Sequence, residues 1–524
     1  MDIKDMTLEQ KIGQMIIAGF PSKEYDEHLD EIIKNKIGNI ILFTRNVGSK
    51  KALAELSDKI QKNMLESTGI PAFITIDQEG GMVTRVYEGA AVLPGNMAFG
   101  AALESKAVLE EGKIIGEELR ALGVNFDIAP VLDVNNNSKN PVIGVRSYGD
   151  NPEKVAEFGV NMIKGLQSMG VIATAKHFPG HGDTAVDSHL ALPLVPHTME
   201  RLEKIELYPF KKAIENNVEA IMSAHVLFPS IESEKLPGTL SYRVLTGLLR
   251  NRLGFKGLIV TDCMEMNAIA EYYGTVNAAV MAVKAGADLI CVSHHLDLQL
   301  GSLNAIKEAV LMGAIPESRI DESVHRILAV KEKYNLFSRP YSDMDKVETI
   351  VGCEEHLCFA KAISEKSITV VKDERNLLPV KYKNIMIIST EAVILTGADD
   401  AIKKKASFSE AVKENLGGEA YAISLNPRME EINCLKEKAK DKELIIIGTY
   451  NASLNKGQAE LVNEILKVNS NVIVTALRNP YDINMFNNVS TYICAYEYTK
   501  LSVDSVIKVL SGVIKAQGAL PVEL

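Results

Sequence analysis

Eight short apolar runs punctuate the first 300 residues: MIIAGF (15–20), NIILF (39–43), AFITID (72–77), NFDIAPVLDV (125–134), VIATAKH (171–177), AIMSAHV (220–226), GLIVTD (257–262) and DLICVSH (288–294). Most are nearly continuous in hydrophobicity rather than alternating, the pattern of strands buried on both faces of a parallel sheet. Between them lie amphipathic segments such as SKAVLEEGKIIGEELRALG (105–123) and PEKVAEFGVNMIKGLQSMG (152–170), each closing on a glycine that suits a helix C-terminus. Strand and helix in alternation predict βα units. About eight such units predict an N-terminal (β/α)8 barrel of the TIM type over residues 1–335 rather than an open sheet.

The rhythm breaks at 336–350, LFSRPYSDMDKVETI, where Pro, Ser and mixed charge replace strand pattern, so residues 336–355 read as a linker. Beyond it the alternation resumes with SITVV (367–371), NIMIIST (384–390), YAISL (421–425), ELIIIGTY (443–450), NVIVTAL (471–477) and STYICAY (490–496). These predict a smaller α/β layered, sandwich-like C-terminal domain over 356–524.

Composition narrows the class. Hydrophobic residues at 46% supply large cores and give no sign of disorder. A net charge of −11, with no long basic cluster, argues against a nucleic-acid partner, which requires a basic surface to displace counterions. The N-terminal MDIKDMTLEQKIGQM has no apolar signal core, and no run of about 18 apolar residues spans a bilayer. Cysteines 263, 291, 353, 358, 434 and 494 form no CxxC pair and read as free thiols of a reducing compartment, so a cytoplasmic location is expected.

Barrel enzymes carry their chemistry where strands end. The densest such place is AKHFPGHGDTAVDSHLALP (175–193), with Lys176, His177, His181, Asp183, Asp187 and His189. Three of the ten histidines fall within this stretch, which a surface loop explains poorly. His177-x3-His181 has workable metal-ligand spacing, although the loop lacks a clear helical register and a cysteine partner. Asp262 ends a buried apolar strand; alone it reads equally as a satisfied structural carboxylate or a catalytic one. Glu265 reads as the start of the next helix. Asp77 ends another strand, followed by the Gly80–Gly81 turn and Arg85, and Arg146 sits in IGVRSYGDNP. Asp77 and Arg146, taken singly, could equally serve ion pairs within loops, and Asp127 and Asp133 lean structural.

Together these segments resemble glycoside hydrolase family 3, most closely its β-N-acetylglucosaminidase branch. NIILFTRN, IDQEGG, NFDIAPVLDV, RSYGDNP, KHFPGHGDT, DSH and TDCMEM stand in the family's order, and SITVVKDERNLLPV, RNPYDI and GALPVEL extend the resemblance into the second domain. The resemblance implies Asp262 as nucleophile, Asp187 and His189 as the acid/base dyad, and Asp77, Arg85, Arg146, Lys176 and His177 as sugar-binding residues. Met82 stands where members commonly have Arg, and Cys263 where Asp is common.

The implied activity is that of a retaining exo-β-N-acetylglucosaminidase. It would remove terminal GlcNAc from peptidoglycan fragments (muropeptides) or other GlcNAc oligosaccharides in a bacterium, through a glycosyl-aspartate. No cofactor or metal is implied, and no dinucleotide or phosphate-binding loop stands in the sequence. Three other readings remain open, one of them a metal-dependent hydrolase. A phosphorylase could use the same machinery, because a neutral histidine repels phosphate less than a carboxylate does. A non-catalytic sugar-binding protein could keep the fold.

Overall fold

The computed structural model describes residues 3–185, 192–391 and 407–524. The first strands are β1 (Ile16–Ala18), β2 (Asn39–Leu42) and β3 (Phe73–Ile76). A short antiparallel hairpin, β4 (Gln78–Gly80) and β5 (Val83–Thr84), follows β3 directly. Then come β6 (Phe126–Asp127), β7 (Ile172–Phe178), β8 (Ala220–Ser223), β9 (Leu258–Thr261) and β10 (Ile290–Val292). Without the hairpin, these strands form one parallel sheet in the order β10-β1-β2-β3-β6-β7-β8-β9. The ring closes between its ends: Val260 bridges to Leu289, and the Thr261 amide donates to the Leu289 carbonyl at 2.9 Å. Each barrel strand is buried along its length, which is why its sequence is apolar at consecutive positions.

Helices Ser105–Ala121 and Pro152–Ser168 illustrate how local sequence sets the outer ring. Asn151 caps the second helix by accepting from the Lys154 amide at 2.9 Å, and Pro152 takes the first turn, where its missing N–H is no loss. Gly123 and Gly170 lie just past the two ends at φ +82° and +80°, the left-handed conformation that terminates helices. The helices touch backbone to backbone at Gly112 and Gly165, where a Cβ on Gly165 would sit 2.5 Å from the Leu109 carbonyl oxygen.

The stretch read as a linker docks on the barrel. Ser342 donates from its amide and hydroxyl to the Asp58 carboxylate at 2.7 and 2.8 Å, and helix Met344–Thr349 buries Val347 in the barrel core.

The second unit is a six-stranded sheet of β11 (Thr369–Asp373), β12 (Ile385–Thr390), β13 (Glu419–Ile423), β14 (Leu444–Thr449), β15 (Val472–Ala476) and β16 (Thr491–Cys494). Its order is β11-β16-β15-β14-β12-β13, with β11 antiparallel at one edge and the other pairs parallel. Alternation along each strand divides the side chains between two faces. Met386, Ile388, Ile445 and Ile447 pack with helices Met429–Ala439 and Lys456–Leu466; Ile385, Ile387, Leu444 and Ile446 pack with Phe408–Leu416 and Lys500–Ser511. The result is a three-layer sandwich. Met97, Ala98, Ala101 and Val145 from the barrel half join one of its cores, so the two units share apolar contact. No described helix is long and apolar enough to cross a membrane.

The backbone contact at Gly165 carries a stability prediction. Gly165→Ala must push the two helices apart, and overpacking of this kind costs about 1–3 kcal/mol. The melting temperature should fall measurably; an unchanged value would mean that the helices can separate freely.

Candidate active site

The C-terminal ends of the barrel strands surround a cavity of about 520 Å³. Its described lining comes wholly from the barrel half and brings together Asp77, Arg85, Arg146, Lys176, His177 and Asp262, six positions expected from the sequence. The other two, Asp187 and His189, lie outside the described residues.

One wall is a buried network of opposite charges. Asp77 leaves the end of β3, and its carboxylate accepts from Lys176 Nζ at 2.8 Å and faces Arg85 Nη2 at 3.5 Å. Glu79, on β4, pairs with Lys176 Nζ at 2.6 Å and takes both ends of the Arg146 guanidinium, Nε at 2.9 Å and Nη2 at 2.7 Å. Burial alone would raise both carboxyls, but the ammonium and guanidinium groups outweigh it and hold them below their usual values. Burial pulls the Lys176 ammonium down, and Asp77 and Glu79 more than restore it.

The backbone that presents these groups is specialised. Gly80 and Gly81 adopt φ +90° and +55° at the hairpin turn, and a Cβ on Gly81 would lie 2.6 Å from a Glu497 carboxylate oxygen. Gln78 braces the hairpin by accepting from the Arg85 and Val86 amides at 2.9 and 3.0 Å. Asp127 lies beneath it and accepts from the Gln78 amide at 2.9 Å; burial pushes its carboxyl well above the ordinary range.

His177 follows Lys176 at the end of β7. Its Nδ1 donates to Asp133 at 2.7 Å, which in the neutral ring leaves Nε2 as the acceptor nitrogen. Asp133 also accepts from the amides of His177 at 3.3 Å and His181 at 2.7 Å. Burial would raise this carboxyl, but His177 and His181 hold it below its usual range. Asp133 and Asp127 are thus supports beneath the site, as their sequence context implied. His181 is buried with its Nδ1 against Thr184 Oγ1 at 2.9 Å, and burial lowers its pKa to about 4, leaving it neutral. Among the described residues, the donor atoms close enough to share a cation belong to Asp183, His197 and Glu206 rather than to the His177–His181 pair. Arg201 already sits 3.3 Å from Glu206 there.

Asp262 stands on the facing side, immediately after β9. The Cys263 amide donates to its Oδ1 at 2.7 Å. The Cys263 thiol is pushed up to about 11 by burial and is neutral in ordinary buffers. Glu265 lines the cavity, and the next helix starts at Asn267; its carboxylate accepts from the His294 amide at 2.7 Å and pairs with the His295 ring. Phe43, Arg45 and His294 complete the rim: the Arg45 guanidinium lies 4.3 Å over the Phe43 ring, and the His294 ring is 5.2 Å from it.

Sequence reasoning missed Glu79, Phe43, Arg45 and His294. A clue to Glu79 lay in its place two residues after Asp77, a spacing that returns the chain to the same side of an extended segment. Met82, where the resemblance led to an expectation of Arg, is turned away into the apolar core of the second unit.

Comparison with known proteins bears on the family and the fold. Residues 7–330 match the family model for the glycosyl hydrolase family 3 N terminal domain. The solved structure of a glycoside hydrolase family 3 β-N-acetylglucosaminidase from Paenibacillus sp. str. FPU-7 superposes with a TM-score of 0.93 at 44% identity, over 99% of both chains. A protein of Pseudoalteromonas piscicida named β-hexosaminidase A is 28% identical over 99% of this chain and 97% of its own. One of Cellulomonas fimi named β-N-acetylglucosaminidase/β-glucosidase is 26% identical over 99% and 94%.

The charged wall makes a pH prediction. A carboxyl whose folded pKa is depressed contributes stability above its unfolded value of about 4, and loses it as pH falls toward the folded one. Glu79→Gln keeps the shape and removes the charge shared by Arg146 and Lys176. The variant should melt lower at pH 7, and the gap to the wild type should narrow as pH falls below about 4. A gap that stays constant across that range would show that Glu79 is not the charged partner of these two bases.

Proposed function

The chain belongs to glycosyl hydrolase family 3, and on that premise we propose that it is a retaining exo-β-N-acetylglucosaminidase. The observation that carries this reading is the single cavity with Asp262 on one side and the Asp77–Glu79–Arg85–Arg146–Lys176 network on the other. Its volume of about 520 Å³ is within the range of small-ligand sites. The buried network closes one end, which suits a sugar entering non-reducing end first, its hydroxyls meeting donors and acceptors already held in place. The names of the full-length relatives support the N-acetylglucosamine specificity.

In the proposed reaction an Asp262 oxygen attacks the anomeric carbon as the bond to the leaving oxygen breaks, giving a glycosyl-aspartate. His189, oriented by Asp187, gives its proton to the leaving oxygen. The same imidazole then takes a proton from water, which attacks the anomeric carbon and releases Asp262. These two roles rest on the DSH motif. Lys176, His177, Arg85, Arg146 and Asp77 bind the ring. Terminal GlcNAc on peptidoglycan fragments is the proposed natural substrate.

The test is hydrolysis of an aryl β-N-acetylglucosaminide with and without inorganic phosphate. Release of GlcNAc at a rate indifferent to phosphate is expected, with retention of configuration in the first-formed sugar. Asp262→Ala should lose about 10³-fold or more in turnover while melting as the wild type does. Substantial turnover by Asp262→Ala would overturn the nucleophile assignment, and phosphate-dependent formation of a sugar 1-phosphate would replace hydrolysis by phosphorolysis.

A further inference from the structure

We propose that His225 is a positioning residue for Asp262, acting through the peptide groups of the loop that carries it; the proposal rests on Asp262 being the nucleophile. β8 and β9 are neighbours in parallel register, with Ser223 opposite Thr261. His225 therefore follows the end of one strand just as Asp262 follows the end of the next. The His225 ring is buried, at 1% exposure, and is absent from the described cavity lining, so it stands behind the site rather than in it.

Both ring nitrogens are engaged. Nε2 lies 2.9 Å from the Cys263 carbonyl oxygen, and Nδ1 lies 2.8 Å from Thr239 Oγ1. A carbonyl oxygen only accepts, so Nε2 carries a hydrogen whatever the charge of the ring. In the neutral ring Nδ1 then accepts from the Thr239 hydroxyl, for whose one hydrogen the Ala224 carbonyl at 3.1 Å competes, and Ser223 Oγ lies 2.9 Å from Thr239 Oγ1. The Cys263 carbonyl thus sets the tautomer of the neutral ring, and Thr239 on the other nitrogen holds its plane.

The bond to Cys263 matters because of what the same residue does on its other side. The Cys263 amide donates to Asp262 Oδ1 at 2.7 Å and orients that carboxylate. From the β10 side the loop is pinned by the Met264 amide on the Cys291 carbonyl at 2.9 Å and by Glu265 on the His294 amide at 2.7 Å. From the β8 side, among the described residues, His225 is a side chain that holds it. The Cys263 carbonyl also receives the Met266 amide at 3.1 Å, a bond local to the loop that travels with it and fixes nothing against the barrel. Removing the imidazole takes away this tether and leaves those of the β10 side and of the Thr275 hydroxyl on the Met264 carbonyl at 3.0 Å. The Cys263 peptide that orients the carboxylate is then held less firmly, while the charged wall is untouched.

The experiment measures kcat and KM separately on an aryl β-N-acetylglucosaminide for His225→Leu, His225→Gln and Thr239→Val. A gap of this kind between groups bound for reaction costs turnover rather than binding. His225→Leu should lower kcat about 10–100-fold with KM within about threefold of the wild type. The Gln amide nitrogen can occupy the place of Nε2, so His225→Gln should recover most of that loss. Thr239→Val keeps the ring but releases Nδ1, and should lower kcat by a smaller factor that disappears when combined with His225→Leu. If His225→Leu does not fold, Thr239→Val and His225→Gln still decide: unchanged kcat in Thr239→Val with a full loss in His225→Gln would overturn the proposal. So would a His225→Leu variant with wild-type kcat, or equal losses in His225→Leu and His225→Gln. Asp262→Asn serves as the control. Activity remaining there would refute the nucleophile reading itself, separately from the role of His225.

Discussion

Lys176 shares its ammonium between Asp77 and Glu79, and Glu79 shares its carboxylate between Lys176 and Arg146. None of these charges stands well alone at such depth. Removing an ion from water costs several kcal/mol even after relaxation, and removing one partner of a buried pair leaves the other uncompensated. Each member comes from a different place in the chain: the end of β3, the hairpin, the turn Gly144–Arg146 and the end of β7. The network therefore fixes four segments relative to one another. Its groups hold one another in place without a ligand, so the binding proposed for them need not order them.

The opposite wall is built on another principle. Among the described groups around Asp262 are a neutral thiol, the Cys263 amide and a histidine that contacts the Cys263 carbonyl. Two requirements are separated in space. The wall proposed to recognise hydroxyls is dense, mutually compensated charge. The proposed attacking group is oriented by a neutral dipole, the Cys263 amide on its Oδ1. A lysine in the place of Cys263 would bind the carboxylate more strongly and blunt it as a nucleophile.

Much of this was legible in the sequence because a parallel barrel is repetitive. Apolar runs mark the strands, and a polar residue where such a run stops marks the catalytic face. Asp77, Lys176, His177 and Asp262 all sit at such stops, and the six later runs likewise became β11 to β16. Arg85 and Arg146 needed the family's motif order, since loop arginines occur everywhere. Glu79 escaped because the IDQEGG segment looks like one turn, whereas the chain forms a hairpin whose second acid points back to the first. Phe43 and His294 escaped for the opposite reason. Each is continuous in hydrophobic pattern with its strand, and only the barrel's closure brings β2 and β10 to either side of β1 and the two rings together.

The second unit lines none of the described cavity, yet it reaches the charged wall through the hairpin. Glu497, just after β16, accepts from the Gly95 amide at 2.7 Å and from Thr499 Oγ1 at 2.8 Å, with its carboxylate against Gly81. Gly81 is the turn of the hairpin that carries Glu79. Burial pushes the Glu497 carboxyl up to about 7, against the pull of those two donors. Met82, the residue after Gly81, is itself embedded in that unit's core. The hairpin is thus held by Asp127 on the barrel side, through the Gln78 amide, and by the second unit on the other, through Met82 and Glu497. An arginine at position 82 would have to leave that core, exchanging the apolar clamp for a charge beside an already balanced network. The methionine here is consistent with its surroundings: position 82 serves the seam between the two units, and through the seam it holds Glu79 in place.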